Sequence, residues 1–252
     1  MDKIGNKTIL KVDNLRKRYS EVEAVGGISF EINSGEIIGL LGPNGAGKTT
    51  TINMILGILE PTGGSIEILG KDFKKNRSQL AEKTNFAAVY AHLPGNLTVY
   101  QNLYVFGLLY DIKNLKEKIS QLLRDFDLIE FKNTKAGLLS SGEMSRLNIA
   151  KAIINNPRLL LLDEPTASLD PNIALLIREK IKGQTKKTDA AVLWTSHNMR
   201  EIKEVCDKVL FMSKGKILLA GDPKTLPEEH NKKNLEELFI AVAREPLSFE
   251  EK

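Results

Sequence analysis

The sequence has one cysteine, Cys206, and only 6% aromatic residues among its 252 positions. A single cysteine excludes an internal disulfide and any metal site built from several thiolates. Long apolar runs are also missing, since a run such as Leu159 to Leu162 is far shorter than the roughly 20 residues that span a bilayer. The first residues, Met1 to Lys7, lack the basic-then-apolar order of a signal peptide. We therefore expect a chain that stays in the cytoplasm and meets a membrane only through a partner.

Charge of one sign is not in large excess either. The 36 basic and 32 acidic residues give a net charge of +4. This balance gives weak support for acidic ligands such as nucleotides or lipid headgroups, and is too small to predict binding to duplex DNA. The hydrophobic fraction of 42% is enough for the core of one large domain or two small ones.

What is present is an alternation of strand and helix patterns. Residues Glu36 to Leu41 form a nearly continuous apolar run, which is typical of a strand buried on both faces. Similar runs recur at Arg158 to Leu162, Ala190 to Thr195 and Lys208 to Met212, with helical patterns between them. This order predicts an α/β fold whose mostly parallel sheet carries helices on both faces.

A helical stretch separates the first buried strand from the second. Apolar residues at helical spacing predict helices over Val99 to Tyr110, Leu115 to Phe126 and Glu143 to Asn155. We interpret this stretch as an insertion within one α/β core. Near the C-terminal end, the turn Ser213 to Lys216 predicts a hairpin, and Leu235 to Val242 predicts an amphipathic helix.

A glycine-rich loop follows the first buried strand and precedes a helix. The loop reads Gly42, Pro43, Asn44, Gly45, Ala46, Gly47, Lys48 and Thr49, which fits the phosphate-loop (Walker A) pattern G-x-x-x-x-G-K-S/T. Glycines let backbone N–H groups turn towards phosphates, and the start of the helix adds the positive end of its dipole. We expect Lys48 to reach the β- and γ-phosphates of a nucleotide and the Thr49 hydroxyl to bind Mg²⁺.

Two acids end the second buried strand. Asp163 is placed to hold Mg²⁺, and Glu164, one residue further, is placed to orient and polarise an attacking water. Taken alone, such an acid pair could equally cap a helix. Its position after a phosphate loop favours catalysis.

With these motifs in order, the sequence resembles the ABC ATPase family over nearly its whole length. The segment from Leu139 through Ser140, Ser141, Gly142 and Glu143 is similar to the family signature L-S-G-G-Q. Ser168, Leu169 and Asp170 match its D-loop, and His197 matches its switch histidine. Tyr19 matches the aromatic residue that stacks on adenine.

The resemblance implies a fold, an activity and a set of ligands. The fold is a P-loop NTPase core with an antiparallel β subdomain (residues 1–84 and 157–226), an inserted helical subdomain (85–156) and a C-terminal tail (227–252). The activity is hydrolysis of ATP with Mg²⁺, with Glu164 and His197 as the catalytic residues and Thr49 and Asp163 at the metal. The nucleotide-binding residues would be Tyr19, Gly42, Pro43, Asn44, Gly45, Ala46, Gly47, Lys48, Thr49, Thr50, Ser140, Ser141, Gly142, Glu143 and Asp170.

The resemblance also implies partners. In the family, the signature of one copy faces the ATP of another, which implies a head-to-tail homodimer with two shared sites. Integral membrane transport subunits would hold that dimer at the cytoplasmic face of the membrane. No nucleic-acid partner is expected.

The chain departs from the family pattern in two places. The signature carries Ser141 for glycine and Glu143 for glutamine, both of which leave its anion-binding backbone possible. The family's Q-loop glutamine is replaced by Val89, which puts metal coordination and coupling to the membrane partner in question. Tyr90, His92 or water could take the place of that glutamine.

Weaker similarities concern direction of transport. Pro94 to Val99, Gly39 to Pro43 and the tail Leu235 to Ile240 resemble ATPases of the ABC-2 type exporter group. Two alternatives remain open at this stage: a soluble ABC ATPase acting on ribosomes or DNA, and a nucleotide-gated switch with little turnover.

Overall fold

The computed structural model describes residues 7–88, 93–167 and 169–244. The strands are β1 (Thr8–Tyr19), β2 (Val22–Asn33), β3 (Ile37–Leu41), β4 (Gly63–Ile68), β5 (Lys71–Asp72), β6 (Thr84–Ala88), β7 (Leu159–Asp163), β8 (Ala191–Thr195), β9 (Lys208–Ser213) and β10 (Lys216–Gly221). The helices are α1 (Lys48–Ile55), α2 (Arg77–Ala81), α3 (Val99–Leu109), α4 (Leu115–Asp125), α5 (Ser141–Ala152), α6 (Pro171–Thr188), α7 (Met199–Val205), α8 (Leu226–Glu229) and α9 (Leu235–Arg244), with a 3₁₀ turn at Ala136–Leu138. In these described segments no helix is both long and apolar enough to cross a membrane.

The strands form two sheets. The larger has the order β10-β9-β3-β8-β7-β6, in which β10 pairs antiparallel with β9 and every other pairing is parallel. The smaller is antiparallel, with the order β2-β1-β4-β5. The α/β class with an antiparallel subdomain, predicted from the sequence, is confirmed.

The central strands separate two hydrophobic clusters. Along β7, Leu160 and Leu162 face the cluster that contains the helices of the insertion, whereas Leu159 and Leu161 face the cluster that contains α1 and the antiparallel sheet. This alternation follows from the two-residue period of a strand. It explains why the strand reads as a continuous apolar run, since both of its faces are covered.

One strand was missed by the sequence analysis. Residues Thr84–Ala88 form β6 and pair with Leu159–Asp163, so residues 85–88 belong to the larger sheet although the sequence analysis placed them in the insertion. The polar residues Thr84 and Asn85 occupy the first two positions of the strand and interrupt the apolar pattern, which explains why the strand was not predicted. The limits of the domains stay a prediction.

The larger sheet places functional loops at one edge. In parallel strands the carboxyl ends meet at the same edge, and here the loops after β3, β7 and β8 lie side by side. These three loops carry the glycine-rich segment, the acid pair and His197.

Candidate functional site

The glycine-rich loop occupies residues 42–47, between the end of β3 and the start of α1. At two of its positions only glycine fits, because backbone atoms of neighbouring strands lie too close for a Cβ. A Cβ on Gly42 would lie 2.3 Å from the carbonyl oxygen of Met212. Gly47 has a φ of +106°, and its Cβ would lie 2.6 Å from the carbonyl oxygen of Ala24. The loop is therefore pressed against β2 and β9, and its shape depends on the missing side chains.

Lys48 begins α1, and its amine points back into the loop. Its Nζ donates hydrogen bonds to the carbonyl oxygens of Gly42, at 2.7 Å, and Pro43, at 3.2 Å. Burial lowers the pKa of Lys48, and the carboxylates of Glu164 and Asp163 oppose that shift. The amine of Lys48 is thus bound to the phosphate loop and within electrostatic range of both acids.

A cavity of about 470 Å³ opens in front of this loop. It is lined by Ala24, Asn44, Gly45, Ala46, Gly47, Lys48, Thr49, Thr50, Asp163, Glu164 and His197. All but Ala24 were singled out from the sequence. Ala24 is a small residue on β2 with no sequence signal, and its carbonyl oxygen is the group that excludes a side chain at Gly47.

The acid pair is anchored to β8 by a threonine. Asp163 and Thr195 are register partners in the parallel pair, and the Thr195 hydroxyl donates to Asp163 Oδ1 at 2.6 Å. The same hydroxyl accepts a hydrogen bond from the backbone N–H of Glu164 at 3.0 Å. Thr195 is fully buried and thus fixes both acids at once. Nothing in the sequence distinguishes this residue, because a threonine at the end of a buried strand is ordinary.

Glu164 lies beside His197 at the mouth of the cavity. Its backbone adopts a left-handed conformation with a φ of +53°, which is uncommon for a residue other than glycine. The imidazole Nε2 of His197 lies 2.6 Å from Glu164 Oε1. Both side chains remain partly exposed, so a water and a phosphate can reach them.

The signature residues form the start of α5, away from this cavity. Ser140 is the N-cap, and its hydroxyl accepts from the N–H of Glu143 at 3.4 Å. In return, Glu143 Oε2 accepts from the N–H of Ser140 at 2.8 Å. This reciprocal pair is a capping box, and it explains how Glu143 can replace glutamine without loss of the helix start. The S-x-x-E spacing was visible in the sequence.

Other residues predicted to bind nucleotide do not line the cavity. Tyr19 is exposed at the end of β1, and its ring lies under Lys17 Nζ at 5.2 Å. Asp170 caps α6, since its Oδ1 accepts from the N–H groups of Asn172 and Ile173. Their roles towards a nucleotide stay predictions. Val89, Tyr90, His92 and Ser168, which were also singled out, lie outside the described residues.

A family profile described as ABC transporter matches residues 25–167, which span the phosphate loop, the signature and the acid pair. The chain belongs to the ABC transporter family. It is an ATP-binding subunit of that family and an ATPase.

Curated relatives of this ABC ATPase carry export names. The chain is 37% identical to the Nod factor export ATP-binding protein I of Rhizobium sp. (strain N33), over 96% of this chain and 80% of that protein. It is 36% identical to the lipopolysaccharide export system ATP-binding protein LptB of Haemophilus influenzae, over 90% of this chain and 96% of that protein.

A solved structure of an ATP-binding subunit of an ABC transporter has the same fold. It superposes with a TM-score of 0.84 at 26% identity, covering 93% of this chain and 99% of the other. The P-loop core predicted for this chain is thereby confirmed.

Thr49 and Asp163 offer oxygen atoms of the kind that magnesium binds. In residues 7–88, 93–167 and 169–244, no three His, Cys, Asp or Glu side chains cluster as a metal cage. Mg²⁺ usually takes one or two protein oxygens and completes its shell with phosphates and water. The exposed Thr49 hydroxyl and the Asp163 carboxylate, both on the cavity wall, match that need.

Proposed function

We propose that two copies of this ABC ATPase bind two ATP·Mg²⁺ head to tail and hydrolyse them with Glu164 as the group that activates water. One observation carries the proposal. A single cavity brings the phosphate loop, both acids and His197 together, whereas Ser140 and Gly142 of the same chain lie elsewhere. The N-terminus of α5 is thus left for the phosphate of a second copy.

The residues of the cavity have separate roles in binding the nucleotide. Lys48 and the N–H groups of the loop hold the phosphates, and Lys48 exchanges its bonds to Gly42 and Pro43 for bonds to phosphate oxygens. Thr49 and Asp163 would hold Mg²⁺, which would supply positive charge against the charge that develops on the phosphates. Thr195 keeps the Asp163 carboxylate in place.

Glu164 and His197 complete the reaction geometry. The Glu164 carboxylate orients the attacking water and accepts its proton as the water oxygen bonds to the γ-phosphorus. The bond from the γ-phosphorus to the bridging oxygen breaks in the same displacement, and ADP is the leaving group. His197 donates to the same carboxylate and holds it at the cavity mouth. Because the transition state gains charge on the phosphate oxygens, positioning and electrostatics supply most of the rate.

The proposed cellular role is to drive an exporter through separate membrane subunits. The names of the relatives, Nod factor export and lipopolysaccharide export, support this direction of transport. Docking would use the helical insertion, where α3 exposes Val105, Leu108 and Leu109. The assembly would lie at the cytoplasmic face of the membrane.

Light scattering tests the pairing. In Glu164→Gln, ATP binds without being split, so the closed pair accumulates, and we expect the mass to become twice the 28.0 kDa of one chain. Adding Gly142→Asp should keep the chain monomeric with ATP, because the new carboxylate repels the phosphate at the start of α5. The added Cβ itself has room, with Leu169 Cδ2 at 3.6 Å, so folding is preserved.

A matched control distinguishes the effect of an added carboxylate from the effect of its position at the start of α5. Gly183→Asp adds the same charge at a position of α6 where a Cβ meets nothing within 4 Å. Combined with Glu164→Gln, it should still pair. The shared site is refuted if ATP leaves the mass of the Glu164→Gln variant unchanged. It is also refuted if the variant that carries Gly142→Asp as well still pairs fully.

Fractionation tests the cellular role. A tagged chain at native expression should sediment with membranes and be recovered in detergent with an integral membrane protein. Recovery with ribosomes or DNA instead would favour the soluble alternative. Glu164→Gln should leave the recovery of the membrane protein unchanged.

A further inference from the structure

Glu201 is a buried carboxylate close to the catalytic loops. It lies in the first turn of α7, is 1% exposed, and has its backbone N–H held by the side chain of Asn198. Its Oε2 accepts from the Ser196 hydroxyl at 2.6 Å, and its Oε1 accepts from the Thr166 hydroxyl. A carboxylate this deeply buried needs such bonds to offset its desolvation.

The direction of one bond is fixed by a third group. Ser196 Oγ accepts from the backbone N–H of Asn198 at 3.0 Å, so its own proton is free to point to Glu201. Both partners of Glu201 are neutral hydroxyl groups, and the ion pairs of the described residues do not include it. The Glu201 carboxylate therefore accepts two charge-assisted hydrogen bonds, which are stronger and more directional than neutral ones.

The two hydroxyl groups belong to the two loops that carry the reaction. Thr166 follows Glu164 by two residues, and Ser196 immediately precedes His197. Between Glu164 and Thr166 the chain turns, with the N–H of Ala167 bound to the Glu164 carbonyl oxygen at 3.0 Å. A shift of either loop would change the 2.6 Å contact between Glu164 and His197.

A second buried bond joins α5 to the same loop. The Ser145 hydroxyl donates to the carbonyl oxygen of Pro165 at 3.1 Å, and both groups are buried. Gly142, in the first turn of α5, faces Leu169 just after this loop. The signature helix is thereby connected to the loop that Glu201 holds.

We propose that Glu201 is a positioning residue for hydrolysis, which fixes Glu164 against His197 by tying their two loops together. Through Ser145 and Pro165, the same tie makes the position of Glu164 sensitive to what binds at the start of α5. This inference rests on the proposed function, because it assumes that Glu164 acts on the attacking water.

Substitution of Glu201 by glutamine tests the tie while keeping its shape. The amide oxygen can still accept from one hydroxyl group, but the amide nitrogen can only donate to the other, so both charge-assisted bonds are replaced by weaker neutral ones and the connection between the loops is loosened. We expect kcat for ATP to fall by about 10- to 100-fold, the loss typical of a reacting group misplaced by about 1 Å. The Kd for a fluorescent ATP analogue should not change, because the phosphate loop is not part of the tie.

The hydroxyl partners give an independent measurement if Glu201→Gln is unstable. Thr166→Val and Ser196→Ala should each lower kcat in the same way, whereas Thr166→Ser, which keeps the hydroxyl, should restore it. In a Glu164→Gln background, Glu201→Gln should cause no further loss of residual hydrolysis, because it acts only through Glu164.

Glu204 supplies the matched control on the same helix. It is half-exposed and pairs with Arg178 and Arg200, so Glu204→Gln should retain wild-type kcat. Wild-type kcat in Glu201→Gln, or a parallel loss of nucleotide affinity, would overturn the positioning role. If instead the wild type and Glu164→Gln hydrolyse ATP equally, the proposed function fails and not merely this inference.

Discussion

The hydroxyl of Thr195 donates to Asp163 Oδ1 at 2.6 Å while it accepts from the N–H of Glu164 at 3.0 Å. One side chain on β8 thus sets the geometry of two neighbouring acids, the last residue of β7 and the residue that follows it. Replacing it with valine, which has nearly the same shape, should lower the free energy of unfolding by about 1–3 kcal/mol, because buried polar partners lose their bond. The Mg²⁺ concentration for half-maximal hydrolysis should rise, as Asp163 is no longer held.

Thr185→Val is the control for that prediction. Thr185 is also buried, but its hydroxyl donates to the carbonyl oxygen of Ile181 in its own helix. Its Mg²⁺ dependence should equal that of the wild type. If Thr195→Val and Thr185→Val behave alike, the anchoring of Asp163 has no role in metal binding.

The two positive-φ glycines of the phosphate loop should respond differently to alanine. Gly45 has a φ of +77° with nothing within 4 Å of a Cβ, so Gly45→Ala should cost only about 1 kcal/mol of backbone strain. In Gly47→Ala the new methyl meets Ala24 O at 2.6 Å, which should add about 1–3 kcal/mol of overpacking. Chemical denaturation measures both, and equal losses would contradict the close packing at Gly47.

The left-handed backbone of Glu164 predicts a stability difference between two inactive variants. Glu164→Ala and Glu164→Gly both remove the carboxylate and the contact with His197. Only glycine relieves the backbone strain at a φ of +53°. The free energy of unfolding of Glu164→Gly should therefore be about 1 kcal/mol higher than that of Glu164→Ala. If alanine is the more stable of the two, the residue is not held in the left-handed region.

Cys206 should be inert in the folded chain. It lies directly after α7, is buried, and burial raises its pKa well above the usual range of a thiol. The reactive thiolate is therefore scarce at pH 8, and a thiol reagent such as Ellman's should label the native chain far more slowly than the chain in denaturant. Equally fast labelling of both would place the thiol at the surface.

Much of this site could be predicted from the sequence, because its parts are continuous. The loop from Gly42 to Thr49 and the acid pair have a fixed spacing and follow apolar runs, so their place at the strand ends followed directly. Thr195 and Glu201 could not be found in this way. Their roles depend on contacts with residues far along the chain, 32 residues away for Thr195 with Asp163 and 35 for Glu201 with Thr166.

One helix differs from its predicted limits and one strand was not predicted, each for a physical reason. The helix predicted over Glu143 to Asn155 begins at Ser141, because the capping box fixes its start at the signature itself. The missed strand β6 contains Asn85, whose amide is buried and donates to the carbonyl oxygen of Ala152. A buried amide satisfied from a neighbouring helix breaks the apolar pattern by which strands are recognised.

Phosphate release from ATP by purified wild type and Glu164→Gln, measured side by side with Mg²⁺, tests the account most directly. The glutamine keeps the shape of Glu164 and can still accept from His197, but it cannot take the proton of the attacking water. We predict that the rate of hydrolysis falls by at least about 100-fold in Glu164→Gln, while the Kd for a fluorescent ATP analogue does not change. Equal rates in the two proteins would show that Glu164 is not the catalytic carboxylate.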